Sequence, residues 1–324
     1  MRGVRLDPFI ALLLAAATAG TVLPVTGEAA EVAHVGQIVA IGLLFFLYGA
    51  RLSTAETLSG LARWRLHTAV LGTTYLVFPA LGLLIGLVAP DVVGAGLATG
   101  VLLLCLVPST VQSSVAYTSI AGGNVAGAVV SASVSNLLGV FATPLLIGLL
   151  MSADAGAQVD ASSVLRIMAH LLAPFVAGQL LRRWIGDWVA RHDRRLKLID
   201  RGGILLVVYL AFSRGREADV WSQIDAADAA LLVVLCLTLL AVALAWTTLL
   251  GRLCRFERGD QIALTFCGSH KSLASGLPMA AVIFAPDTVA LVVLPLMLYH
   301  QFQLIACAYL ADRWSQENKN DGSR

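Results

Sequence analysis

Long apolar stretches alternate with short polar ones along the whole chain. The apolar runs fall at about 9–24, 34–50, 67–89, 92–121, 125–151, 164–182, 201–213, 229–250, 258–285 and 288–311. A helix of roughly 20 apolar residues crosses the ~30 Å hydrocarbon core of a bilayer. The pattern therefore predicts ten transmembrane helices, with the first and seventh runs short. Two runs are not uniform. The fourth, "VGAGLATGVLLLCLVPSTVQSSVAYTSIAGGN", breaks at Pro108 into small polar residues before a second apolar half. The ninth, "GDQIALTFCGSHKSLASGLPMAAVIFAP", is interrupted at Gly268–Ser272. Interior proline deletes a helical hydrogen bond and glycine eases departure from helical geometry, so both are predicted to be broken helices.

Composition agrees. Of 324 residues, 58% are hydrophobic and 13% charged, and mean hydropathy is +0.83. The charged share is about half that of a soluble domain. The net charge of +2 says little, but its distribution is directional. With the N-terminus inside, 18 of the 22 Lys and Arg fall in inside segments, seven of them between Arg182 and Arg201. Outside loops carry Glu28, Glu31, Asp91, Asp154, Asp160, Glu217, Asp219, Asp225, Asp228 and Asp287. The positive-inside rule then predicts ten spans with both termini cytoplasmic. The N-terminal "MRGVRLDPFIALLLAAATAG" also has the order of a signal peptide, but an uncleaved first helix fits this topology better.

Five spans precede the acidic loop and five follow it, so the second half is inserted upside down. The domain reading is a first five-helix repeat over 1–151, an outside linker over 152–163, a second, inverted repeat over 164–311 and a polar tail over 312–324, expected to be disordered. Broken helices at corresponding positions of two inverted halves are the sequence mark of a midplane binding site in secondary transporters.

The candidate chemistry sits at those breaks. Lys271, with His270, lies too far from either end of its span to reach water, and a cation there is costly. The half-helices starting near Ser109–Ser114 and Ser269–Ser272 would present free N–H groups and positive dipole ends. Together these make an organic-anion site, with Lys271 facing a carboxylate, sulfate or phosphate. Gly268, Ser269 and Ser272 belong to it from the ninth run, and Gln112, Ser113 and Ser114 from the fourth. Gly268, Ser272 and Gly276, spaced by four, also serve simply to let helices pack closely. Thr74, Ser131 and Ser135, with Ser113 and Ser114, are neutral oxygens that could serve as ligands to a cation such as Na+. Asn124, Asn136 and His300 are secondary candidates, equally suited to interhelical hydrogen bonding. Cys267 and His270 have C-x-x-H spacing but no second pair, and the scattered cysteines make no disulfide framework. The spans hold no nucleophile–base pair and no deep acidic residue, which argues against a membrane enzyme. The basic loop "RHDRRLKLID" suits anionic lipid headgroups and needs no nucleic acid.

"CLVPSTVQSS" and "AGGN" in the fourth run, "SNLLGVFATPLL" in the fifth and "FCGSHKSLASGLPM" in the ninth resemble the SBF-like branch of the bile acid:sodium symporter superfamily. That branch includes bacterial sodium-dependent transporters and the seventh member of vertebrate solute carrier family 10. The resemblance implies a core of spans 3–5 and 8–10, a panel of spans 1, 2, 6 and 7, and alternating access between them. It also implies Na+ coupling, for which this sequence is poorly equipped. Ala128 and Ala132 stand where hydroxyls would hold one ion, no glutamate lies near Phe266, and Lys271 lies at the second ion position. An ammonium repels Na+. The expectation is an inner-membrane symporter-like carrier of an organic anion, with no cofactor beyond Na+ or H+ as coupling ion. The alternatives are H+-coupled or uncoupled anion exchange, or a regulatory protein that retains the fold.

Overall fold

The structure, a computed structural model, describes residues 8–51, 63–87, 93–151 and 161–321. Twelve helices are numbered here in chain order: α1 (Pro8–Val22), α2 (Gly27–Arg51), α3 (Trp64–Gly86), α4 (Ala95–Leu106), α5 (Val111–Ile120) and α6 (Val125–Leu150), then α7 (Ala161–Arg191), α8 (Asp193–Glu217), α9 (Ala226–Leu253), α10 (Arg258–Ser269), α11 (Leu273–Ile283) and α12 (Val289–Asp321). No strand occurs among the described residues. Five helices (α2, α3, α6, α9 and α12) are long and apolar enough to span a membrane, six if α4 and α5 count as one broken span bent by 60°. The chain is thus an all-helical, multi-pass membrane protein. The full count of ten predicted spans is not reached by length and apolarity, because α1 has only 15 residues, α7 and α8 carry charge clusters, and α10 and α11 are short halves.

The helices sort into two groups by contact. In one group, α2 lies along α7 and α1 along α8. The α2–α7 contact is close because two glycines face each other's backbone. A Cβ on Gly49 would overlap the carbonyl of Phe175, and one on Gly178 that of Phe46. The other group holds α3–α6 and α9–α12, with α4 against α3 and α12, and α10 against α9 and α5. Most of the buried apolar side chains form one cluster that runs through both groups.

Helix ends follow local chemistry. Asp225 and Asp228 form a reciprocal capping box that starts α9. Asn124 caps α6 by accepting from Gly127 N at 2.9 Å, while its amide donates to Asp260 Oδ1 at 2.6 Å. Asp260 also receives Arg63 Nη1 at 2.8 Å, so one carboxylate gathers the starts of α3, α6 and α10. Two boundaries differ from expectation. Helix α8 begins eight residues before its apolar run, because Arg, Leu and Lys in its first turns are good helix formers without any apolar face. The polar tail expected to be disordered continues α12 as far as Asp321, so the loss of apolar residues does not end that helix. Of the expected 152–163 linker, 152–160 lie outside the described residues, and α7 already begins at Ala161.

Candidate functional site

Backbone that leaves helical geometry inside a membrane must find partners within the protein. The crossing of the two broken runs meets that demand almost bond for bond. Helix α4 stops at Leu106 and Val107 turns extended. Its loose carbonyls are taken in order. Thr143 Oγ1 donates to Leu106 O at 2.8 Å, Ser272 N to Pro108 O at 2.8 Å, and Asn136 Nδ2 to Ser109 O at 2.6 Å. In the ninth run, Ser109 Oγ donates to Cys267 O at 2.5 Å, Ser114 Oγ to Phe266 O at 3.3 Å, and Tyr299 OH to Ser269 O at 2.8 Å. Gln303 holds the break from both sides. Its Oε1 accepts from Lys271 N at 2.8 Å, and its Nε2 donates to Lys271 O at 3.0 Å. Thr110 Oγ1 donates to that same carbonyl at 2.9 Å.

Lys271 is wholly buried. Its Nζ donates to three backbone carbonyls, Val107 O at 2.9 Å, Cys105 O at 3.0 Å and Thr74 O at 3.3 Å. The ring of Phe78 lies 4.0 Å from Nζ, close enough for a cation–π contact. Each carbonyl has a reason to be free. The N–H four residues on from Cys105 belongs to Ser109 and goes to Ser135 Oγ at 3.1 Å. Val107 lies past the end of α4. Thr74 lies in a π-helical turn, Thr73–Val77, in which Phe78 N bonds Thr73 O, and the next residue, Pro79, has no N–H to give.

A cavity of about 690 Å³ separates the two groups of helices. Its floor carries Thr110, Gln112, Ser113, Asn136, Ser272, Ser275 and His300 from the broken crossing and its neighbours. Its opposite wall is apolar, with Phe9, Phe45, Phe175 and Ile204. Charges edge it: Arg51, Lys197 and Arg201 with Asp193 and Asp200. Arg51 Nη1 pairs with Asp200 Oδ2, and Arg51 Nε lies 3.4 Å from Asp193 Oδ1. Ser113 Oγ is buried without a hydrogen-bond partner.

The predicted residues thus divide. Gln112, Ser113, Asn136, Ser272 and His300 line the cavity. Lys271 does not; its ammonium is spent on carbonyls. His270 is buried between Tyr117 and Phe266, with Nδ1 2.5 Å from Phe266 O and Nε2 unpartnered. Cys267 Sγ turns instead to Ala128 O at 3.6 Å, so the C-x-x-H spacing does not bring two ligands onto one ion. Ser269 bonds back to Thr265 O at 2.6 Å, and Gly268 gives room to Thr247 of α9. The hydroxyls expected to be ion ligands are dispersed. Ser135 serves Ser109 N, Ser131 lies 2.7 Å from His67 Nδ1, Ser114 serves Phe266 O, and Thr74 Oγ1 is buried and unpartnered. Asn124 is a helix cap on the Asp260 cluster. Of the N–H groups expected to greet an anion, three are used internally: Ser109 N on Ser135 Oγ, Ser272 N on Pro108 O and Ser275 N on Ser272 Oγ at 3.2 Å.

Sequence reasoning placed Ser109 and Thr110 only as the start of a half-helix, and it missed Ser275 and Gln303, whose polarity is ordinary for an interhelical position. It also passed over Arg51, Asp200 and Arg201, which read as loop charges although they border the cavity. The i,i+3 placement of His300 and Gln303 on one face of an apolar helix was the available signal for Gln303.

A buried crossing of two interrupted helices, facing a cavity between two helix groups, is the architecture of a secondary-transporter fold rather than of a bundle of uniform spans. Residues 7–316 match the SBF-like CPA transporter family, and the chain belongs to it. Protein PA2026 of Pseudomonas aeruginosa is 47% identical over 310 residues, covering 96% of this chain and 93% of its own length. A protein of Escherichia coli named "Putative symporter YfeH" is 42% identical over 314 residues, 97% and 94% of the two chains. The mouse sodium/bile acid cotransporter 7 is 29% identical over 277 residues, 82% and 79%.

Proposed function

We propose that this chain is a secondary carrier that moves an amphipathic organic anion across the inner membrane by alternating access. The observation that carries the reading is the cavity itself: polar floor on the broken crossing, aromatic and aliphatic wall opposite, and a basic majority at its edge. A ligand suited to it has an apolar body and a carboxylate, sulfate or phosphate. Arg51, which lines the cavity, is the group best placed to meet that charge by exchanging its Asp193 or Asp200 contact for the ligand, since a guanidinium forks onto such oxyanions. Lys271 supports the crossing instead of touching the ligand.

Ten spans in two inverted five-helix repeats, with both termini cytoplasmic, is the topology that suits this reading. The helix contacts favour it. Exchanging the halves pairs α1 with α7, α2 with α8, α3 with α9, α4 with α10, α5 with α11 and α6 with α12. Under that exchange the α2–α7 contact becomes α8–α1, α3–α4 becomes α9–α10, and α4–α12 becomes α10–α6, each of them present. The names borne by the relatives fit a symporter, and a carrier of this kind needs no catalytic group, only different affinities in two conformations.

The test is a thermal-shift screen of the purified protein in lipid, with anions of graded apolar size. Amphipathic carboxylates and sulfates are expected to raise Tm, and their neutral amides are not. Arg51→Gln should weaken the best ligand about tenfold or more. Absence of any anion-specific shift would leave a fold-retaining regulator as the better account. Uptake into proteoliposomes under imposed Na+ or H+ gradients then separates symport from uncoupled exchange.

A further inference from the structure

The ammonium of Lys271 has no carboxylate partner among the described residues. It is met only by oxygens of the main chain and one aromatic face. Two of those carbonyls, of Cys105 and Val107, stand at the C-terminal end of the half-helix α4, where the helix dipole is negative. The third, of Thr74, is released by the π turn and by Pro79. Unwound carbonyls and the C-terminal ends of half-helices are what broken transport helices use to coordinate small cations. A backbone that assembles three such oxygens around one point, with no ion of opposite charge to the ammonium, has built a cation position.

We propose that the carbonyls of Thr74, Cys105 and Val107 form a monovalent cation site that this chain fills permanently with its own Lys271 ammonium. A free alkali cation or small alkylammonium binds there only when that side chain is shortened. The site ties α3, α4 and the break between α10 and α11 together. A tethered cation holds them in any salt, so at this position no sodium gradient is drawn upon. For coupling, this consequence rests on the transport reading above; the cation site does not, and its test uses the protein without any transported ligand.

The experiment compares Tm of the wild type, Lys271→Ala and Lys271→Met in lipid nanodiscs, in sodium, potassium and choline chloride at matched ionic strength. Wild-type Tm is expected to be the same in all three. Lys271→Ala should melt roughly 5 °C or more lower in choline. It should recover saturably with Na+ or with n-propylammonium, which replaces the three lost methylenes and the charge. Lys271→Met refills the space without a donor and should stay low in every salt. A folded Lys271→Ala protein indifferent to all these cations would overturn the site. Should that variant not fold, the wild type decides: a sodium-specific rise in its Tm overturns the proposal, and indifference supports it.

Discussion

Ser113 and Gln303 are both polar side chains in apolar helices, yet their hydrogen bonding gives them opposite roles. Gln303 satisfies the main chain of Lys271, whose N–H has no helical carbonyl to reach. Ser113 has an unpartnered hydroxyl at the cavity floor. Leaving a buried donor unmade costs about 1–3 kcal/mol, whereas removing an already unmade one costs little. Gln303→Leu is therefore expected to destabilise the protein by about 2 kcal/mol and lower Tm measurably. Ser113→Ala should leave Tm within roughly a degree or two. On ligand binding the order reverses: an anion that raises Tm should bind Ser113→Ala about three- to tenfold more weakly, as for one lost neutral hydrogen bond. A Ser113→Ala protein as unstable as Gln303→Leu would mean that the hydroxyl has a structural partner.

At the scale of elements, the chain sets its helix spacing with residues that have no side chain. Helices α2 and α7 approach until Gly49 and Gly178 each lie against the other's backbone, with a Cβ on Gly178 reaching 3.0 Å from Ala50 N. Small residues at such contacts let dispersion act over the whole helix length where no hydrophobic force drives association in lipid. Gly178→Val must push the pair apart and should cost about 1–3 kcal/mol. Gly42→Ala, on the same helix α2 with nothing within 4 Å of the added carbon, is the control and should be close to neutral. Equal melting of the two variants, measured by intrinsic fluorescence in one detergent, would deny that the contact fixes the spacing. The breaks obey different rules. Pro108 interrupts one run, yet the ninth breaks at Ser269–Ser272, six residues before Pro278, which helix α11 accommodates. What ends α10 is the transfer of Lys271 N and O to Gln303 and Thr110.

At the scale of the molecule, the apolar runs, the two interruptions and the family were legible in the sequence because each is a local pattern. The partner of Lys271 was not. A lone cation in an apolar run implies a counter-charge, and nothing local reveals that three main-chain carbonyls, one of them freed by a π turn near residue 74, converge on it. For the same reason Asn124, placed beside a helix break in sequence, is a helix cap that does not line the cavity, while Arg51 and Arg201, placed in basic loops, border it. Among the described residues, one polar contact between the two helix groups is the hydrogen bond from Tyr48 OH of α2 to Ala274 O of α11, 3.3 Å long. Alternating access requires such contacts between the groups to break in each cycle. Tyr48→Cys with Ala274→Cys, in a background where the partly exposed Cys254 is serine and the other native cysteines are buried, can be bridged by a short bis-methanethiosulfonate, each cysteine displacing methanesulfinate to form a disulfide that a thiol reductant reopens. Bridged protein in liposomes should lose nearly all uptake of an identified anion and regain it on reduction, while either single-cysteine variant treated alike should keep it. Undiminished uptake through the bridged form would mean that α2 and α11 do not separate, and that the cavity opens by some motion other than that of one group against the other.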